Sequence, residues 1–351
     1  MNKFKKLICI IIGDNSFNKL RVYKQNMTFL FSLIKNFYID FKLYYKHSTV
    51  FKQDTIEKIE ALIILKYHSL EKGLLHNNIR YEFGKQNIIE LCKLLKREDV
   101  LANSDRTQFA AAYLVMCTYY ELHQKNNIDI SSYYNSLDYE LFKQKIATSL
   151  LSVNEKQTST YFENTNESFN LFSASRSSVR DFTGEIIPFE TIEKVIEIAK
   201  TAPSVCNRQP VKVYYVEDRN MIHDIVNIQQ GLKGYSDNIS QLLIVASDRN
   251  YFYTVGERNQ FYIDGGIFLM NLLYALHYYK IGACPAHWGM NADLDKKIMK
   301  LIKMNESEKV ICLVPIGIPK DQFKTTLSLR RDNKEILKVV NKFGIKNCFT
   351  L

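Results

Sequence analysis

The chain has 351 residues, 46% hydrophobic and 24% charged, ordinary globular material long enough at about 100 to 200 residues per domain for two units. Its formal charge of +10 favours anionic partners, but the basic residues are interspersed with acids and form no long block, which argues against a nucleic-acid binder. The seven cysteines, Cys9, Cys92, Cys117, Cys206, Cys284, Cys312 and Cys348, contain no C-x-x-C pair, which argues against a disulfide framework or a zinc site and suits a reducing cytoplasm.

The start, MNKFKKLICIIIGD, resembles a signal peptide, but its apolar run from Leu7 to Ile12 is shorter than a signal core of about 7 to 15 residues and far shorter than a membrane span. A short strand or helix start is expected there, and no integral membrane segment. All six prolines and ten of the thirteen glycines lie in the second half, so the first half is expected to be mainly helical. QDTIEKIEALIILKYHSLEKGL places Ile56, Ile59, Ile63, Tyr67 and Leu70 on one helical face. QFAAAYLVMCTYYEL (108–122) is nearly continuously apolar and reads as a buried helix. The polar stretch from Asn154 to Ser168 has the composition of a linker and makes the best boundary. The expected organisation is a helical extension over 1–153, a linker over 154–171, a second domain over 172–345 and a tail over 346–351.

Beyond the linker, SRSSVRDF (175–182) sets Arg176 and Arg180 around Ser177 and Ser178. Two readings are open: a solvated helix entrance with serine caps, or an anion site in which guanidinium forks and hydroxyls match phosphate oxygens. PFETIEKVIEIAKTA puts Ile192, Val195, Ile196 and Ala199 at helical spacing after Pro188. VKVYYV (211–216), QLLIVAS (241–247) and KVICLVPIG (309–317) read as strands. RNQFYIDGGIFLMNLLYALHYYKIG reads as a buried helix despite Gly265 and Gly266. Helices and strands that do not repeat as regular βαβ units point to an α+β layer architecture.

Four segments of this half carry candidate chemistry. They are SRSSVRDF; APSVCNRQPVKVYYV, with Ser204, Asn207 and Gln209 in a turn; IGACPAHWG, with Pro285, Ala286, His287 and Trp288, the only tryptophan; and GIPKDQFKTTLSLRRDNKEIL, with Arg330 and Arg331. In order and spacing, R-S-S-V-R-x-F, A-P-S-x-x-N-x-Q-P, the apolar helix ending in a glycine turn, and G-x-P with a late arginine closely resemble the FMN-dependent nitroreductase family, over roughly residues 172 to 345.

That resemblance implies a three-layer α+β sandwich with a central antiparallel or mixed sheet, an intertwined homodimer, and one FMN at each end of the subunit interface. It implies that Arg176, Ser178 and Arg180 hold the phosphate and ribityl chain with Ser177 nearby, and that one late arginine, Arg331 rather than Arg330, completes the clamp. Ser204, Asn207 and Gln209 match positions that approach the flavin from the partner subunit, or are turn chemistry between a helix and a strand. Pro285 and Ala286 fall where the family presents backbone to the flavin ring. His287 is either a proton donor to a bound substrate or an exposed imidazole, and Trp288 either walls the pocket or belongs to the core. The implied activity is hydride transfer from NADH or NADPH to FMN, then electron transfer to a small-molecule acceptor. The absence of G-x-G-x-x-G after a strand, and of a Walker loop, accords with a reductant that needs no dedicated fold.

The helical extension departs from typical family members. KYHSLEKGLLHNNIRYEFG, with His68, Glu71, Lys72, Arg80 and Gly84, resembles an extension on nitroreductase-like proteins that accompany bacterial surface-polysaccharide genes. These polar residues either cap the flavin pocket or bind a sugar-linked substrate, or they form an exposed helix end stopped by Gly73. Two other functions compete with the oxidoreductase: a dehydrogenase or related reaction on the same fold, and a flavin-binding regulatory component without turnover.

Overall fold

A computed structural model describes residues 14–146, 152–232, 234–341 and 344–346. The run Leu7–Ile12 and nearly all of the expected tail lie outside the described residues. The chain divides into two compact units, Met1–Gln53 with Phe252–Gln260, and Asp54–Tyr251 with Phe261–Leu351. In the first, helix α1 (Asp14–His47) is joined to the 252–260 segment by a bidentate ion pair from Arg258 to Asp40, at 2.7 and 2.8 Å. Many of its large apolar side chains, among them Phe31, Phe41 and Tyr44, are exposed. No described helix is long and apolar enough to cross a membrane.

The second unit begins with helices α2 (Ile56–Leu74), α3 (Lys85–Leu95), α4 (Glu98–Leu101), α5 (Thr107–Lys125) and α6 (Ser136–Lys143). Thr55 caps α2 by accepting from Lys58 N, and Ile59, Ile63, Tyr67 and Leu70 are buried, as the helical spacing requires. They meet α5, which is apolar nearly all round because it runs through the middle of this cluster, with Phe109, Ala112, Tyr113, Met116 and Tyr119 fully buried.

After the helices come β1 (Val153–Gln157), α7 (Thr158–Tyr161), α8 (Phe169–Ser175), α9 (Phe189–Ala199), β2 (Val211–Val216), α10 (Arg219–Gln229) and β3 (Gln241–Asp248). The chain continues through α11 (Gln260–Tyr278), β4 (Gly282–Ala283), β5 (Ala286–His287), α12 (Ala292–Leu301), β6 (Glu308–Gly317), β7 (Gln322–Thr326), α13 (Asn333–Ile336), β8 (Val339–Asn341) and β9 (Gly344–Lys346). The central sheet runs β2-β3-β6-β4, with β5 also on β6, and every pairing is antiparallel.

Strand β3 is buried along its whole length because the sheet is covered on both faces. Its Leu242, Ile244 and Ala246 pack with Ile222, Ile225 and Ile298 of α10 and α12, whereas Leu243 and Val245 pack with Val195, Ala199 and Leu276 of α9 and α11. The architecture is thus the expected α+β three-layer sandwich with a helical N-terminal region. Gly265 lets α11 approach the sheet, since a Cβ there would lie 2.6 Å from Ile311 Cγ1.

The stretch expected as a linker carries ordered elements instead. Strand β1 pairs antiparallel with β7, Val153 opposite Thr326 and Gln157 opposite Gln322. Composition misses this because the partner lies more than 160 residues away and the strand is polar; Thr158 then anchors α7 by donating to Lys320 O and Asp321 O.

Candidate functional site

The segment from Arg176 to Phe182 leaves α8 in extended conformation and lies along the edge of the sheet. Val179 N donates to Ala283 O at 3.0 Å, Phe182 bridges to Pro319, and Thr183 N donates to Ile318 O at 2.9 Å. Gly282 permits this approach: a Cβ there would lie 2.9 Å from Pro319 Cγ and 3.2 Å from Val179 Cβ. Tyr161 fixes the loop from the other side, its hydroxyl accepting from Ser177 N at 2.9 Å and donating to Ser177 O at 3.0 Å. Burial raises the Tyr161 pKa, so the phenol keeps the proton it donates.

These backbone contacts bring SRSSVR against the turn 283–287. The Arg176 Nη1 atom is buried and has no hydrogen-bond partner among the described residues. The preceding Ser175 hydroxyl meets His277 Nε2 at 2.7 Å. His277 is 2% exposed among Tyr161, Phe162 and Phe172, and its pKa is pushed down to about 4 by burial and then by the Arg176 charge. Its imidazole is therefore neutral at neutral pH and adds no repulsion to Arg176. Arg180 Nη1 makes a long contact of 3.4 Å to Ser178 O. The buried Cys284 thiol is raised by burial and drawn back by Arg180, Lys72 and Arg176, three cations acting on one point.

Ala286 is buried and half-buried Pro285 precedes it, while His287 is exposed. The His287 carbonyl accepts from Gln229 Nε2 at 2.9 Å. Trp288 belongs to the core: it is 4% exposed, and its indole N–H donates to Asp295 at 2.7 Å.

The Ser204–Gln209 turn is tied to α11, where Val205 N lies 3.3 Å from Oδ2 of the buried Asp264. Within it Gln209 N donates to Ser204 Oγ at 2.9 Å and Gln209 Nε2 to Asn207 Oδ1 at 3.1 Å. Cys206, Asn207 and Gln209 all hold positive φ, of 50°, 54° and 50°, conformations that non-glycine residues adopt at a cost of order 1–3 kcal/mol each. The Asn207 and Gln209 side chains are exposed. Arg331 is engaged elsewhere, donating to both oxygens of Glu60 on α2 at 3.0 Å and to Glu335 at 3.1 Å. Arg330 bonds Ser328 O at 3.0 Å.

Sequence reasoning missed Tyr161, His277 and Asp264. The last two carried a signal, as the sole acid and a lone imidazole within the apolar helix α11, whereas Tyr161 in a polar stretch carried none.

Residues 174–233 and 236–318 match the model described as Nitroreductase family. Among solved structures, a nitroreductase-like protein from Streptococcus mutans is 20% identical over 49% of this chain and 98% of its own, with a TM-score of 0.42. A nitroreductase family protein from Clostridium novyi is 24% identical over 44% of this chain and 86% of its own, TM-score 0.40. An FMN-dependent nitroreductase from Clostridium difficile is 17% identical over 47% of this chain and 92% of its own, TM-score 0.38. No curated protein matches.

Proposed function

We propose that this chain is an FMN-dependent oxidoreductase of the nitroreductase type, taking hydride from NADH or NADPH and passing electrons to a small-molecule acceptor. The observation that carries the reading is the buried Arg176 Nη1 without a partner, beside Ser177, Ser178 and Arg180 and clamped against the turn 283–287. A buried guanidinium nitrogen left unpaired is costly, and a phosphate oxygen would satisfy it.

The residues fit the group that the family match implies. Arg176, Ser177, Ser178 and Arg180 would hold the phosphate and ribityl chain, and Pro285 and Ala286 would present backbone to the ring. Bound FMN would supply a two-electron centre able to accept hydride and release it to a second substrate. Neutral His277 keeps Ser175 and the neighbouring Arg176 in place without competing for the anion. Exposed His287 is the side chain at the turn placed to hand a proton to a bound acceptor. Exposed Asn207 and Gln209, on a turn held in strained backbone, suit contact with the flavin of a second subunit in a homodimer.

Purified protein is tested by its visible spectrum and by anaerobic addition of NADH or NADPH. Flavin bands that bleach with either nucleotide support the reading. Bound flavin that neither nucleotide reduces favours a regulatory flavin binder, and a colourless protein that FMN does not reconstitute overturns the assignment. Replacing Arg176 and Arg180 together by alanine should strip FMN, since each charge-assisted contact contributes about 1.5 to 3 kcal/mol.

A further inference from the structure

Helix α1 carries its apolar side chains in a pattern of its own. From Leu20 to Tyr45, LRVYKQNMTFLFSLIKNFYIDFKLYY, they recur at alternating intervals of three and four residues, Leu30, Ile34, Phe37 and Phe41 among them. With 3.6 residues to the turn, this set and its neighbours Phe31, Tyr38 and Tyr45 fall within one stripe roughly 140° wide, interrupted only at its edge, by Asn26. The stripe is not the side by which the helix is held. The 252–260 segment grips α1 at Asp40, on a flank where Leu33 and Asn36 are half-buried, whereas Phe31, Phe37 and Phe41 of the stripe are 65%, 51% and 63% exposed.

A stripe of charge runs along one edge of the apolar one. Arg21, Lys24, Lys35, Lys42 and Lys46 fall within an adjoining arc of roughly 60°, and no acid lies in that arc. Asp40, the only acid of α1 after its first residue, stands outside both stripes and is already bound to Arg258. An exposed apolar stripe edged by cations matches the boundary of an anionic bilayer. The rings enter the headgroup layer, and the lysine stems lie along the apolar surface while their ammonium groups reach phosphate oxygens. The make-up of the stripe favours this occupant over a second helix. Tyr23, Tyr38, Tyr44 and Tyr45 lie in it, and in a dry helix–helix seam each phenol hydroxyl would need a partner, whereas at a bilayer surface water and headgroups supply one.

We infer that α1 lies along the surface of an anionic phospholipid bilayer, its apolar stripe in the headgroup layer, and holds the chain there as a peripheral protein. The inference does not depend on the flavin reading.

The test is co-sedimentation of the full chain with vesicles of phosphatidylcholine alone and of an equal mixture of phosphatidylcholine and phosphatidylglycerol. The natural protein should bind the mixed vesicles, less tightly as salt is raised, and should bind the neutral ones more weakly. Replacing Lys35→Gln and Lys42→Gln together should weaken binding to the mixed vesicles about tenfold or more, Lys35→Arg with Lys42→Arg should retain it, and Phe37→Asp with Phe41→Asp should abolish it. All four side chains are exposed, so circular dichroism should match the natural protein in each variant; if the aspartate pair loses helix, the glutamine and arginine pairs decide. A natural protein that leaves the mixed vesicles unbound overturns the inference, and so does a glutamine pair that binds them as tightly as the natural protein. An oligomer in sedimentation velocity that Phe37→Asp with Phe41→Asp dissociates, with no binding to vesicles, overturns it in favour of a second copy on the stripe.

Discussion

Replacing Tyr161 by phenylalanine isolates the contribution of one hydroxyl to the anion loop. The ring stays, and with it the contacts to Phe162, His277 and Phe323 at centroid separations of 4.6, 5.2 and 5.1 Å. What goes is the pair of hydrogen bonds to Ser177 N and Ser177 O. At about 0.5–1.5 kcal/mol net for each bond, the expected loss is about 2 kcal/mol. Ser177 is half-buried, so water can reach part of the exposed backbone, which keeps the figure from the upper end. For a unit of this size that loss lowers Tm by about 3–4 °C. Calorimetry of flavin-free Tyr161→Phe against the natural protein measures it, and an FMN titration reads the loop, which should bind several-fold more weakly once its backbone is loosened. A variant with unchanged Tm and unchanged FMN affinity would refute the reasoning. A lowered Tm with unchanged affinity would show that the hydroxyl serves the fold alone.

Four further outcomes are expected. His277 has a folded pKa of about 4 against an unfolded value near 6.5, so between those values the unfolded state binds the extra proton and stability falls as pH drops from about 6.5 to about 4; His277→Asn should lose that part of the acid sensitivity, and identical urea midpoints against pH in the two proteins would contradict it. Arg331→Ala should destabilise by about 2 kcal/mol, below the 3–5 of a fully buried pair because Arg331 is 36% exposed and Arg106 still reaches Glu60 at 3.4 Å; FMN affinity should not change, and its collapse would return Arg331 to the phosphate clamp. Gly282→Ala should cost about 1–3 kcal/mol by pressing on Pro319 and Val179 and should lower bound FMN on purification, while a variant as stable and as yellow as the natural protein would count against the packing argument. Deleting residues 1–150 should give aggregated protein, because Glu335, Leu329 O and Tyr235 lose their partners Thr107, Gln108 and Lys72; a monodisperse, FMN-binding fragment would show that the extension is dispensable.

The legible parts of this fold were those fixed by local periodicity. Ile59, Ile63, Tyr67 and Leu70 announced α2, the β-branched apolar run of β3 announced a strand, and the spacing after Pro188 announced α9. The R-S-S-V-R segment and the turn around Pro285 were legible as candidates, because clustered forks and donors are rare enough to notice. What joins them was not legible. A backbone bond from Val179 to Ala283 leaves no trace in side-chain type, and neither does the pairing of β1 with β7 across most of the domain. Arg331 shows the same limit from the other side. An arginine suits a phosphate and a buried glutamate equally well, and only the fold shows Glu60 on its guanidinium.

Helix α2 touches the rest of its unit near both ends. Glu60 holds Arg331 near its start, and the Lys72 carbonyl holds Tyr235 near its finish, twelve residues on and so roughly 18 Å along the axis at 1.5 Å per residue. The rod between them is locked in rotation by Ile63, Tyr67 and Leu70, all buried. A stiff strut pinned at two points and keyed along its length cannot tilt at one end while the other stays put. The length of helix between them therefore sets how far the glutamate–arginine pair stands from Tyr235, and it joins two distant seams of the unit through one rigid element.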